Sequence, residues 1–159
     1  MKIAKVLIAV VVLGGLFTLS NCGSSSPAPE PLANQQFTKL QKTWKLTAVT
    51  LDGTSQFAPT GPYNNNFTLT ISGTKGATSF DYAIANRPAL SPWKASGKWS
   101  FGADAATQIV RDPDVTADKL DMTYSVTDNT LQVQFNYQGT GFFTRVDQVK
   151  GNWVFTFGL

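Results

Sequence analysis

Few residues in this chain are equipped to carry a reaction. There is no histidine, and the single cysteine is Cys22. A serine or threonine nucleophile needs an activating base, and the commonest base is missing together with the commonest zinc ligand. Lys94, Ser96 and Lys98 stand near enough in sequence for a Ser–Lys pair, but they suit solvated loop and strand positions equally well. The sole glutamate is Glu30, whereas Asp112, Asp114, Asp118 and Asp121 fall in one short stretch. Spaced carboxylates are hard oxygen ligands that can hold Ca²⁺. Here no glycine follows a third acidic ligand as an EF-hand loop requires, and Asp with Pro113 is ordinary turn chemistry. Glycoside hydrolysis would need two of these carboxylates facing each other across a cleft, which nothing in their spacing implies. The inventory predicts a non-catalytic protein with no catalytic residue, no metal and no cofactor.

The aromatic residues divide by setting. Trp44, Trp99 and Trp153 alternate with polar neighbours and read as core. Phe57, Tyr63, Trp93, Phe142 and Phe143 lie in segments without that alternation. Apolar side chains on connectors either fold over the end of their own domain or form a contact patch for a small ligand, a glycan or a protein. These five are the candidate contact residues. Phe142-Phe143, set between Gly139-x-Gly141 and Arg145, has the composition of a lid.

The elements that must position them follow a small helix. Phe37 and Leu40 fall on one helical face, with Asn34 placed to cap it. The period then changes to two, with eight short runs. They are Trp44 to Ala48, Phe67 to Ile71, Phe80 to Ile84, Trp99 to Phe101, Gln108 to Asp112, Leu120 to Val126, Leu131 to Tyr137 and Trp153 to Phe157. Each has one apolar and one polar face, as antiparallel strands covering a core require. Gly73-Thr74-Lys75-Gly76 and Asp128-Asn129 suit tight hairpins. Longer connectors run from Asp52 to Asn66, Asn86 to Ser96 and Gln138 to Lys150. Asn66-Phe67-Thr68 matches a glycosylation sequon and reads better as the start of a strand. Eight strands in series predict an all-β fold, an eight-stranded up-and-down antiparallel barrel, with a two-sheet β-sandwich as the alternative.

The N-terminus reads as an address. Met1 to Lys5 carries two lysines, and Val6 to Leu19 is nearly all apolar but shorter than the ~20 residues of a spanning helix. Leu19-Ser20-Asn21-Cys22 resembles the bacterial lipobox. The resemblance implies that residues 1–21 are a lipoprotein signal peptide and that Cys22 becomes the mature N-terminus. It would carry a thioether-linked diacylglycerol, with acyl chains such as palmitate. Several chains anchor stably, since each buried CH₂ contributes about 0.8 kcal/mol. An ordinary signal peptide with an incidental cysteine is the alternative, and it too puts the mature chain outside the cytoplasm. Gly23 is not the aspartate that often retains lipoproteins at the inner membrane, so the expected place is the outer membrane of a cell envelope. Gly23 to Ala33 is a Ser- and Pro-rich tether, making residues 22–33 lipidated cysteine plus linker and 34–159 the folded domain.

Charge narrows the partners. The full chain has 13 basic and 10 acidic residues, a net +3. Loss of Lys2 and Lys5 with the signal leaves a balance near neutrality, which argues against nucleic acid as a partner.

The domain also resembles the small lipocalin-like lipoproteins of Bacteroidetes. The resemblance rests on Lys39-Leu40 before Thr43-Trp44-Lys45-Leu46, the Leu51-Asp52-Gly53 turn and Gly97-Lys98-Trp99-Ser100-Phe101. Thr130-Leu131 and Gly151-Asn152-Trp153-Val154-Phe155 complete it. It implies a lipocalin-like barrel holding a small apolar molecule or a glycan. An accessory protein that presents its loops to an envelope partner is the other expectation.

Overall fold

The computed structural model describes residues 27–89, 91–142 and 147–159. One helix, α1 (Leu32–Leu40), precedes nine strands: β1 (Thr43–Leu51), β2 (Thr54–Ser55), β3 (Thr68–Ser72), β4 (Phe80–Ala85), β5 (Ser96–Phe101), β6 (Gln108–Arg111), β7 (Leu120–Val126), β8 (Thr130–Tyr137) and β9 (Gly151–Gly158). From β3 to β9 each strand pairs antiparallel with the next. Strand β1 closes the circle. Its first half pairs with β3, Trp44 opposite Leu69, and its second half with β9, Val49 opposite Phe155. Eight strands thus form a closed barrel, the fold expected, and the sandwich alternative falls. Closure also removes the exposed sheet edges that invite aggregation.

Two local readings need correction. Strand β2 is a ninth strand, attached to the end of β1 through Thr50 and Ser55. Thr54 and Ser55 are both exposed, so no apolar period marks them. The helix starts at Leu32 with Pro31 as its N-terminal flank, and Asn34 lies inside it. Pro31 supplies the carbonyl that takes the Asn34 and Gln35 N–H groups at 2.9 and 3.2 Å, so no side-chain cap is needed.

Alternation decides what fills the barrel. Along β8, Leu131, Val133, Phe135 and Tyr137 point inward and their neighbours outward. Phe67, Phe155 and Phe157 join them, and Phe135 and Phe155 stack at 5.8 Å between ring centroids. Burying each large side chain contributes roughly 1.5–3 kcal/mol. The indole N–H groups of Trp44 and Trp153 donate to the Leu40 and Val149 carbonyls at 2.9 and 2.8 Å, so two bulky side chains are buried without stranding a donor. The space left in the interior is about 30 Å³, room for a water or two.

Strand direction sorts the connections. The β3–β4, β5–β6 and β7–β8 turns meet at one end, which α1 covers. There Phe37 stacks on Phe80 at 4.3 Å, and Glu30, where the tether arrives, pairs with Lys75 of the β3–β4 turn. The described residues of the four connectors 52–67, 86–95, 112–119 and 138–150 lie at the opposite end, the mouth.

Candidate functional site

Strand β6 builds the site. Alternation turns Ile109 and Arg111 inward, which puts a cation in a slot otherwise apolar. Arg111 is 1% exposed. One of its Nη groups donates to the Pro92 carbonyl at 2.8 Å. Its guanidinium lies over the rings of Phe142, Trp93 and Tyr137, at 5.4, 5.6 and 5.9 Å. Such faces attract a cation more strongly where water is excluded. Nε lies 3.7 Å from Asp112 Oδ2 and has no hydrogen-bond acceptor among the described residues. Burial pushes the Arg111 pKa down from its ordinary value, against the pull of Tyr82 and Asp112.

Asp112 follows the strand at φ +48°, a conformation that aspartate tolerates better than most residues. Its carboxylate is buried and accepts the Tyr82 O–H and the Lys98 backbone N–H, both at 3.1 Å. Lys94 Nζ lies 3.5 Å from the same carboxylate and 2.9 Å from Asp118. The hydrogen bond to Asp118 is the main reason the Lys94 pKa is raised. That keeps its ammonium charged, the opposite of what a base for Ser96 needs. Lys98 reaches across to Asp81 at 2.6 Å, so the two lysines of the Lys94–Ser96–Lys98 group are held by different carboxylates. Of the four clustered aspartates, Asp112 and Asp118 converge on Lys94, while Asp114 and Asp121 face solvent. Among the described residues no three Asp, Glu, Cys or His side chains gather as a metal site would need.

Beside this cluster the mouth opens into a cleft of about 600 Å³. Arg111, Asp118, Lys119, Asn136, Tyr137 and Phe142 are among its walls, with Gly139 and Gly141 in the rim. A volume of that size matches small-molecule sites, typically ≈ 300–1,000 Å³, which the interior space does not approach.

The predicted contact aromatics take different places. Tyr63 is buried, edge-on to Phe67 and Trp153 at 5.4 and 5.8 Å, and bridges through its backbone to half-buried Phe57. Trp93 is buried edge-on to Phe135 at 5.6 Å. Both therefore close the barrel's mouth from within. Phe142 is half-buried over Arg111, and its N–H donates to the Ser91 carbonyl at 3.3 Å. Phe143, Arg145 and Cys22 lie outside the described residues. The structure thus unites Trp93 and Phe142 around Arg111 and sets Phe57 and Tyr63 apart as their own pair. Sequence reasoning missed Arg111 and Asn136. The signal for Arg111 was present: continuing the β6 alternation puts a charge on the inner face. No protein-family model, no curated protein and no solved structure matches the chain.

Proposed function

We propose that this protein is a lipid-anchored binding protein of the cell envelope, lipocalin-like in form and non-catalytic, whose recognition site is the cleft at the barrel mouth. The observation that carries this is the contrast in space, about 30 Å³ inside the barrel against about 600 Å³ at the mouth. A site that small inside favours recognition at the rim over an apolar ligand in the cup. The rim chemistry favours a glycan. Asn136 and Gln138 offer donors and acceptors together, Asp118 and Lys119 add charged hydrogen bonds, and half-buried Phe142 supplies an apolar ring for the apolar side of a sugar. Lipid on Cys22, signalled by the lipobox-like Leu19 to Cys22, would hold the domain at the outer membrane. The tether reaches the barrel at the helix-covered end; with lipid on Cys22, that end would face the bilayer and the cleft would point away from it.

The test is an oligosaccharide array probed with the full chain. Binding that Asn136→Ala and Lys119→Ala weaken supports the reading. Binding of fatty acids in preference to any sugar overturns it. Mass spectrometry of the mature N-terminus reads the anchor, with an unmodified Cys22 as the contrary result.

A further inference from the structure

The cleft does not end at the mouth. Asn136 is also a wall of a shallow trough of about 530 Å³ that crosses the outside of β6, β7, β8 and β9. The trough in turn shares Thr123 and Gln134 with a smaller hollow of about 120 Å³ lower on β7 and β8. The three spaces form one path down the wall. Along β8 it runs from Gln132 to Gln138, about 20 Å at ~3.4 Å per residue.

Below the cleft, whose walls include Arg111, Asp118 and Lys119, the path is polar and nearly without charge. The outward side chains along it are Gln132, Gln134 and Asn136 of β8, Asp121, Thr123 and Ser125 of β7, and Gln108 and Val110 of β6, with Asn152, Val154 and Thr156 on β9 beside them. Asp121 is the only charge among them, whereas β4 and β5 on another part of the wall carry the Asp81–Lys98 ion pair. Asn136 Nδ2 donates to Asn152 Oδ1 at 2.7 Å, Asn136 Oδ1 accepts from Gln138 Nε2, and Asn152 Nδ2 donates to Asp52 Oδ1 at 3.3 Å, a chain that orients the amides while each NH₂ keeps a second N–H to donate. A nucleic acid would need positive charge, and a bilayer an apolar face with basic residues. A protein partner would want exposed aromatic, Met or Arg anchors, whereas Met122 and Phe135, which border the trough, are buried in the barrel core. Rows of amides and hydroxyls broken by a single carboxylate, Asp121, match a polymer covered in hydroxyls and would repel an acidic one.

We infer that the cleft and the trough together hold an extended, neutral polysaccharide chain, with one end of the bound segment at the mouth and several further rings laid along β8. This rests on the reading of the cleft as a glycan site, and adds chain length and neutrality to it.

The experiment is calorimetric titration of the full chain with oligosaccharide ladders of two, four and six rings. The ladders are β-1,4-glucose, β-1,4-N-acetylglucosamine and, as the acidic counterpart, α-1,4-galacturonic acid. Affinity for a neutral ladder should rise about tenfold from two rings to six, the return on two or three net hydrogen bonds. Gln134→Ala with Thr123→Ala should abolish that gain and leave two-ring affinity unchanged. Both positions are exposed on the wall, and an unaltered unfolding midpoint shows the variant folded. Two-ring binding with no length dependence overturns the inference alone, as does a length gain that survives the variant. An equal gain for the acidic ladder overturns neutrality. No binding to any ladder at any length overturns the inference together with the glycan reading beneath it.

Discussion

The carboxylate of Asp112 occupies the space that any side chain at Gly97 would need: a Cβ there would overlap Asp112 Oδ1 and press on the Tyr82 ring. A glycine on β5 is thus the condition for burying an aspartate after β6, and the buried aspartate balances the buried Arg111. Gly97→Ala should destabilise the fold by about 1–3 kcal/mol, as overpacked sites do. Gly53 at φ +79° has open space around it, so Gly53→Asn, which suits that conformation, should cost far less. Denaturant unfolding of the two variants checks the order.

Asp112 and Arg111 should behave as a unit. Asp112→Ala removes the acceptor for Tyr82 and Lys98 and takes the adjacent carboxylate from buried Arg111. Breaking a buried pair from one side typically costs 3–5 kcal/mol. Arg111→Met combined with Asp112→Asn removes both charges and keeps an acceptor, so the double variant should be less destabilised than Asp112→Ala. A double variant that is worse than that single change would show that Arg111 contributes more than charge balance.

Alkaline stability follows from the tyrosines. The chain has four, and burial is the main cause raising the pKa of each one: Tyr63, Tyr82, Tyr124 and Tyr137. Raised folded values mean the folded state holds its phenolic protons longer than the unfolded chain. Stability is therefore fully present below the ordinary tyrosine value of about 10 and declines as pH rises beyond it. Lys94, also raised, acts in the same direction. Tyrosinate absorbance should appear late, in one step with loss of the barrel's circular dichroism. Gradual ionisation at ordinary pH values with the fold intact would contradict this burial.

Much of this architecture was legible, for a specific physical reason. Polar residues alternate with Leu131, Val133, Phe135 and Tyr137 along β8 because one face meets core and the other water. That signal is clean in β4, β7 and β8 and blurred in β5, where only Trp99 is buried. It fails for Thr54–Ser55, where two exposed residues pair only by backbone. The turn motifs were legible as patterns but not as causes. Gly151 is needed because a Cβ there would strike Asp52, whose carboxylate takes the Asn152 N–H at 2.8 Å from across the mouth. That partner is 100 residues away in sequence, beyond any local pattern. The site was the least legible part. Trp93 and Phe142 were picked out for being apolar on connectors, but the cation that gathers them sits on a strand, and Asn136 looked like any outward polar residue.

Orientation at the membrane gives a further expectation. With the tether tied to the helix-covered end through Glu30 and Lys75, the β3–β4 turn should lie nearer the bilayer than the mouth. The offset is about 20 Å, the height of a tilted eight-residue strand. Fluorophores at Thr74→Cys and Thr140→Cys in vesicle-bound protein should be quenched unequally by a lipid-borne quencher, Thr74 the more strongly. Equal quenching would remove the case for a cleft that faces outward.

The most direct test of the central claim is an NMR titration of the full chain in lipid nanodiscs with the neutral oligosaccharide that binds best. Recognition at the mouth predicts that the side-chain amides of Asn136 and Gln138 and the backbone amide of Lys119 shift in proportion to occupancy, while the interior methyls of Leu69, Met122 and Val133 stay where they are. Shifts concentrated in those interior methyls, with the rim amides unmoved, would contradict it.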